Sequence, residues 1–277
     1  MINFNGELQN PENIKLSIDN RAFKYGDAIF ETVKVMHKKV VFWEDHYFRL
    51  MASMRMLRMK IPIEFTLEFL EQEILKTVAP QDEAIAYRVR LNVFRKDGGL
   101  YTPKTNKIDF TIEVKESNYQ TKDTYALDVY KDFYNYSGLL STIKTNNRMV
   151  NTLASIFADE NDLDNCILLN EKKGVVEVTN GNIFVVKGNV VKTPALTEGC
   201  IKGIVRIKVI EILFKNKDFT IEETSISPFE IQKADEVFIT NAIVGVQPVT
   251  SYKKKTFTTE IGQKIASSLR LLQIAGN

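Results

Sequence analysis

The run Ser141-Thr142-Ile143-Lys144-Thr145-Asn146-Asn147-Arg148 decides how this chain is read. A β-prone stretch ends at the lysine and a helical pattern takes over beyond it, so a short turn there can hold a primary amine in a pocket. Its counterpart is Glu177, in Glu177-Val178-Thr179-Asn180-Gly181-Asn182-Ile183-Phe184, which closes the β-prone stretch from Gly174 to Val178. Taken singly, each has an ordinary explanation, because lysines and glutamates mostly lie solvated at a surface.

Outward from this pair the chain alternates strand and helix signals. Ile29 to Val35 and Val40 to Trp43 are β-branched and aromatic runs joined by Met36-His37-Lys38-Lys39, a hairpin pattern. Asp45 to Met59 has helical spacing, with Phe48, Met51, Met54 and Leu57 on one face; its methionines read as core filler. A second helix is expected from Thr66, as cap, to Val78, with Pro80 beyond its end. Tyr87, Val89, Leu91 and Val93 alternate with Arg88, Arg90 and Asn92, which predicts a half-buried strand, and Ile108 to Val114 predicts another. The polar stretch Lys115 to Thr124 is the best linker, which places a boundary near residue 120 between a smaller N-terminal domain, 1–120, and a larger C-terminal one, 121–277. Beyond it are expected a helix Asn147 to Asp159 with Val150, Leu153, Ile156 and Phe157 on one side, and a strand Asn165 to Asn170. A hairpin Ile183 to Lys192 turning at Lys187-Gly188, a helix Gly203 to Lys215, a strand Glu236 to Thr240 and a last helix Glu260 to Leu272 follow. Helices on mixed sheets imply an α/β or α+β architecture.

Composition narrows the function classes. With 277 residues, 44% hydrophobic and 26% charged, the chain suits an ordinary globular protein with an ample core. A net charge of +2 argues against a polyanion-binding surface, and hence against nucleic acid, while leaving room for a local phosphate pocket. No apolar run is long enough for a membrane span, and the start, Met1-Ile2-Asn3-Phe4-Asn5-Gly6, lacks signal-peptide character. Cys166 and Cys200 have no metal-ligand spacing, and His37 and His46 cannot build a histidine-rich metal site. A cytoplasmic, metal-free protein is expected.

A lysine amine and a carboxylate converging on one pocket are what pyridoxal phosphate needs: the amine forms the imine, and the acid keeps the ring nitrogen protonated so that the ring acts as an electron sink. Six ordered segments resemble the class IV aminotransferase family, the fold-type IV pyridoxal phosphate enzymes. They are Asp19-Asn20-Arg21-Ala22-Phe23-Lys24-Tyr25-Gly26-Asp27-Ala28-Ile29-Phe30-Glu31-Thr32, His46-Tyr47-Phe48-Arg49-Leu50, the lysine run, the Glu177 segment, Gly203-Ile204-Val205-Arg206, and Asn241-Ala242 with Pro248-Val249. The resemblance implies two α/β domains with the cofactor between them, a small-molecule substrate and a homodimer.

It also implies roles. Lys144 and Glu177 would be catalytic and hold the cofactor; Arg49 would bind its phosphate, where the residues alone suggest a solvated helix-face charge. The amides of Ile204 and Val205, at a helix start opened by Gly203, would cap the phosphate; many relatives carry threonine in place of Val205. Thr240 and Asn241 resemble the last phosphate-binding turn, and Asn182 the residue that braces the Glu177 turn. Tyr25 and Phe30 match aromatic positions near substrate, though aromatic strand residues are also ordinary core. Arg88, Arg90 and Arg95 compete for a substrate carboxylate, and the glycine-flanked loop Arg95-Lys96-Asp97-Gly98-Gly99-Leu100-Tyr101-Thr102-Pro103 favours Arg95.

Two reactions share this cradle. Lys144-x-x-Asn147-Arg148, Asn241-Ala242 with Pro248-Val249, and Arg95-x-x-Gly98-Gly99-x-Tyr101 resemble 4-amino-4-deoxychorismate lyases, although Leu100 replaces those enzymes' second arginine and one residue is missing before the tyrosine. The alternative is an aminotransferase acting on branched-chain or D-amino acids with 2-oxoglutarate. A non-catalytic cofactor-binding relative is the remote third.

Overall fold

The alternating run from Tyr87 lies within a six-stranded antiparallel sheet in the computed structural model, which describes residues 1–79 and 86–275. Pro80 lies outside the described residues. The chain divides into two units, Met1–Asn118 with Lys144–Asn147, and Tyr119–Ile143 with Arg148–Ala275. The first comprises β1 (Ile2–Phe4), β2 (Glu7–Gln9), α1 (Arg21–Tyr25), β3 (Ala28–Met36), β4 (Lys39–Val40), α2 (Trp43–Met56), α3 (Leu67–Val78), β5 (Tyr87–Arg95) and β6 (Ile108–Glu116). Its strands are ordered β2-β1-β6-β5-β3-β4.

Alternation builds this sheet. Tyr87, Val89, Leu91 and Val93 are buried, and the register extends their row sideways, Val33 to Val89 to Val114 and Glu31 to Leu91 to Ile112. Helices α2 and α3 cover that face with Leu50, Met51, Met54, Leu70 and Ile74. Thr66 caps α3, its Oγ1 accepting the Phe69 N–H at 3.1 Å. The β3–β4 turn is made by His37 and Lys38, both left-handed (φ 51° and 59°), a two-residue turn whose twist suits antiparallel strands. Helix α2 starts at Trp43 and stops at Met56, with Arg58 left-handed just beyond, rather than spanning Asp45 to Met59. Its inward stripe is Trp43, His46, Leu50 and Met54, which leaves Phe48 exposed on the far side, contrary to expectation.

The second unit comprises β7 (Ala126–Val129), α4 (Met149–Glu160), β8 (Asn165–Leu169), β9 (Val175–Val178), β10 (Asn182–Lys187), β11 (Val190–Pro194), α5 (Ile204–Lys215), β12 (Thr220–Thr224), α6 (Pro228–Lys233), β13 (Glu236–Asn241), β14 (Gly245–Val249), β15 (Ser251–Tyr252), β16 (Lys255–Thr256) and α7 (Glu260–Ala275). Two five-stranded sheets, β12-β11-β10-β13-β14 and β16-β15-β7-β8-β9, share a core of Leu127, Ile167, Val178, Ile183, Val185, Val237, Ile239 and Tyr252. Outside one sheet, α4 packs Ala154 and Ala158 on Cys166 and Leu168; Ile156, expected on that side, is exposed. Outside the other lie α5 and α7, where Phe184 and Phe238 stack with ring centroids 4.9 Å apart. Buried Glu236 starts α7 by accepting the N–H groups of Ile261 (2.9 Å) and Gly262 (3.0 Å), an anion at a helix N-terminus. The architecture is mixed α+β. No helix among the described residues is long and apolar enough to cross a membrane.

Candidate active site

In the first unit, Lys144 is held by the edge of β3. Phe30 donates its N–H to the Lys144 carbonyl (3.0 Å), Asn146 donates to the Ala28 carbonyl (2.9 Å), and Thr145 bridges Ile29. The residues preceding it form a 3-10 turn, Leu139–Thr142, rather than the strand expected there. Lys144 Nζ sits 4.4 Å from the Phe30 ring centroid, and the Arg90 guanidinium carbon lies 3.8 Å from the same centroid, each a cation against an aromatic face. Arg90 also donates to Asn146 Oδ1 (3.1 Å). Asn92 pairs with Phe30 across the strands, and its buried Oδ1 has no hydrogen-bond partner among the described residues.

On the other face of β3, buried Glu31 receives Arg49 through two bonds, Nε to Oε1 (2.8 Å) and Nη2 to Oε2, while His46 Nδ1 lies 2.8 Å from Oε2. Burial disfavours the Glu31 carboxylate, but the Arg49 charge and the bonds from His46 and Arg49 outweigh it and hold its pKa at about 2. Burial pushes the His46 imidazole below its ordinary value; the Glu31 bond opposes this, and the charges of Arg49 and Lys144 add to it.

Arg95 does not lie on the loop where the sequence places it. It is the last residue of β5, not part of the loop, and its buried guanidinium is committed to Asp27 Oδ2 (2.9 Å), Asn106 Oδ1 (2.6 Å) and the carbonyls of Leu57 (2.7 Å) and Arg58 (3.4 Å). The strand runs two residues past Val93, which turns Arg95 inward and away from any ligand-binding loop. Arg21 shares the Asp27 oxygen (2.8 Å) and holds the loop by the carbonyls of Gly98 (3.2 Å), Leu100 (2.6 Å) and Tyr101 (3.3 Å). Tyr25 packs in this group, its ring under Arg21 at 4.9 Å and tilted against Tyr101 at 5.7 Å, whereas Phe30 meets Lys144.

In the second unit, Glu177 is buried in β9 and its Oε2 accepts the Ile201 N–H at 3.0 Å. Asn182 Nδ2 donates to the carbonyl of the same Ile201 (2.9 Å), so one peptide is gripped at both ends. The turn after Glu177 is tied down by Asn165, whose Oδ1 accepts the Thr179 N–H (3.0 Å), and by Asn151, which donates to the Thr179 carbonyl (2.8 Å). Gly203 is the N-cap of α5 and offers no side-chain cap, so the first amides, at buried Ile204 and Val205, are left for an anion. A Cβ on Gly203 would stand 2.0 Å from Asn182 Oδ1, and one on Gly181 would stand 2.4 Å from the Thr240 carbonyl, so both backbones run too close for a side chain. Thr240 pairs with Asn182, and its buried Oγ1 has no hydrogen-bond partner among the described residues. Asn241 Oδ1 accepts the N–H groups of Ile243 (3.0 Å) and Val244 (2.9 Å), shaping the turn that follows. An uncapped buried helix start, an unsatisfied hydroxyl and a buried acid fit a phosphorylated pyridine.

Each unit therefore gathers its share of the expected residues: Tyr25, Phe30, Arg49 and Lys144 in the first, Glu177, Asn182, Ile204, Val205, Thr240 and Asn241 in the second. Sequence reasoning passed over Glu31, Asn151 and Asn165. For Glu31 a signal existed, because the row Ile29, Glu31, Val33, Val35 places a carboxylate among inward apolar positions.

Comparison with known proteins identifies the family and the fold. Residues 28–252 match the family model described as amino-transferase class IV. A Methanocaldococcus jannaschii protein with a provisional assignment as a branched-chain-amino-acid aminotransferase is 31% identical over 90% of this chain and 86% of its own length. The aminodeoxychorismate lyase of Vibrio harveyi is 27% identical over 84% of this chain and 86% of its own. The branched-chain amino acid aminotransferase of Thermobaculum terrenum, solved in its pyridoxal phosphate form, superposes with a TM-score of 0.87 at 20% identity, covering 100% of this chain and 94% of that one, and so has the same fold. The chain belongs to the class IV aminotransferase family.

Proposed function

We propose that this protein is a pyridoxal phosphate-dependent lyase that splits 4-amino-4-deoxychorismate into pyruvate and 4-aminobenzoate, a cytoplasmic homodimer serving folate synthesis. The observation that carries the choice of reaction is the polar face beside Lys144. Arg90 lies on the same Phe30 ring as the lysine amine, and Asn92 Oδ1 is unsatisfied beside it. A guanidinium and a buried acceptor suit a substrate rich in carboxylates and hydroxyls, whereas an aliphatic side chain there would leave the Asn92 oxygen without a hydrogen bond.

The chain's own groups divide the work. Lys144 would hold the cofactor through its amine, and that amine, when free, would move the proton at the substrate Cα. The Glu177 carboxylate, oriented by the Ile201 amide, holds the proton at the ring nitrogen. In the first unit Arg49 would offer a guanidinium to a phosphate; in the second, the amides of Ile204 and Val205 and Thr240 with the Asn241 turn would offer donors to one, and Asn182 braces Ile201. Tyr25 and Phe30 line the substrate side, and Arg90, in place of Arg95, takes a substrate carboxylate. Bound there, pyridoxal phosphate supplies the electron sink for charge developing at Cα.

A second reading, an aminotransferase acting on branched-chain or D-amino acids with 2-oxoglutarate, is favoured by the 31% identity to the Methanocaldococcus protein. One experiment separates the two. The purified protein is incubated with aminodeoxychorismate, and separately with each amino acid class plus 2-oxoglutarate. Release of pyruvate from the first supports the lyase; glutamate formation without pyruvate release replaces it with the aminotransferase.

A further inference from the structure

A carboxylate in the inward row of β3 needs a reason. Ile29, Val33 and Val35 on that row are buried and apolar, and Glu31 among them is 1% exposed. Removing an ionised carboxylate from water is costly unless each oxygen is paired, and here both are. Arg49 bonds Oε1 and Oε2 together, and His46 bonds Oε2. The three side chains span β3 and the two turns of α2 that carry the His46-x-x-Arg49 spacing. A free arginine side chain samples many rotamers, and ordering it on arrival of a ligand subtracts from affinity. Pairing with Glu31 settles that order beforehand and offsets the Arg49 charge, so what Arg49 offers a ligand is direction more than net charge.

We propose that Glu31 is a positioning residue for phosphate recognition: its carboxylate fixes the guanidinium plane of Arg49, with His46 steadying the second oxygen, so that Arg49 meets the cofactor phosphate in one orientation. The inference rests on the reading of Arg49 as a phosphate ligand. Glu31, buried and bonded to Arg49 and His46, acts through Arg49.

The test compares two aldehydes that differ only in the phosphate. The cofactor-free full chain, wild type and as the variants Glu31→Asp, Glu31→Gln and Arg49→Ala, is titrated with pyridoxal phosphate and with pyridoxal, following the absorbance band of the lysine-bound aldehyde. Glu31→Asp keeps the charge and so the fold, but is one methylene too short for the two-point contact. Thermal melts confirm which variants are folded, and if Glu31→Gln is not, Glu31→Asp decides. Both Glu31 variants are expected to lose about tenfold or more in affinity for pyridoxal phosphate, the scale of a charged hydrogen bond, and to bind pyridoxal like wild type. Equal losses for the two aldehydes would reduce Glu31 to a structural role and overturn the proposal. So would wild-type affinity in folded Glu31→Asp while Arg49→Ala still weakens pyridoxal phosphate binding, a result that leaves the Arg49 reading intact. Unchanged phosphate affinity in Arg49→Ala would sink that reading and this inference with it.

Discussion

Replacing Gly203 by alanine should damage the second unit far more than a single methyl suggests. The backbone at Gly203 has φ −66° and ψ 139°, which alanine adopts freely, so no conformational strain enters. The cost comes entirely from contact. The new Cβ would stand 2.0 Å from Asn182 Oδ1, and neither β10 nor the first turn of α5 can yield without disturbing buried neighbours. If Asn182 rotates away, its 2.9 Å bond to the Ile201 carbonyl is lost, at about 1 kcal/mol. If it stays, the core is overpacked by about 1–3 kcal/mol. A destabilisation of about 1–3 kcal/mol is therefore expected, whichever way the clash is relieved. The same displacement shifts the Ile201 amide on Glu177 and the amides of Ile204 and Val205, so cofactor should also be lost more readily on dialysis. Gly138→Ala is the control: its Cβ meets nothing nearer than Tyr136 Cδ1 at 4.0 Å, and a change within about 0.5 kcal/mol is expected. Denaturant unfolding followed by fluorescence, with cofactor absorbance before and after dialysis, measures both effects. Equal stability and retention for Gly203→Ala and the control would mean that the Asn182 contact constrains nothing.

Acid should weaken the first unit in two stages. His46 has a lowered folded pKa, so below its ordinary value of 6.5 the unfolded chain takes the proton first and stability falls; Glu31, about 2 folded against 4.5, adds a further loss of about 3 kcal/mol as pH drops from 4.5 to 2. Urea midpoints against pH should show both stages, and a Glu31→Gln variant with an unaltered profile below pH 4.5 would contradict the assignment. Arg95→Ala should act on stability and not on chemistry: it breaks a buried pair with Asp27, costing about 3 kcal/mol, and at a temperature where the variant stays folded kcat should be close to wild type. Cys166 and Cys200, whose thiols burial pushes up to about 11 and about 12, should resist thiol reagents in the native protein and react on unfolding. Rapid labelling of the native protein would disprove their burial.

Much of this molecule could be read from local pattern. Period-two alternation at Tyr87–Val93 is intrinsic to the residues, and Thr66 acts as a cap on its own helix, so both were available without tertiary information. What escaped depends on distant partners. Glu236 begins α7 from another strand, and no spacing within residues 258–262 announces it. The short strands β1 and β2 carry too few residues for a pattern. The choice among Arg88, Arg90 and Arg95 turned on where β5 ends, and a shift of two residues moved Arg95 from an expected loop into the interior. Lys144 and Glu177 stood out as candidates through their flanking motifs, while Glu31 was hidden inside one such motif.

The clamp on the loop after β5 bears on how such a protein can change. Arg21 grips the carbonyls of Gly98, Leu100 and Tyr101, not their side chains. A main-chain grip is indifferent to what is mounted on the chain, so substitutions at positions 100 and 101, both exposed, leave the loop's course intact. Gly99 is the exception: its φ is 82°, and a Cβ there would stand 2.2 Å from the Thr102 carbonyl. Such a loop is an interchangeable mount, where new side chains can be sampled by mutation without refolding the strand that carries it. Divergence among relatives should concentrate at 100 and 101, while Arg21, Asp27 and Gly99 hold still.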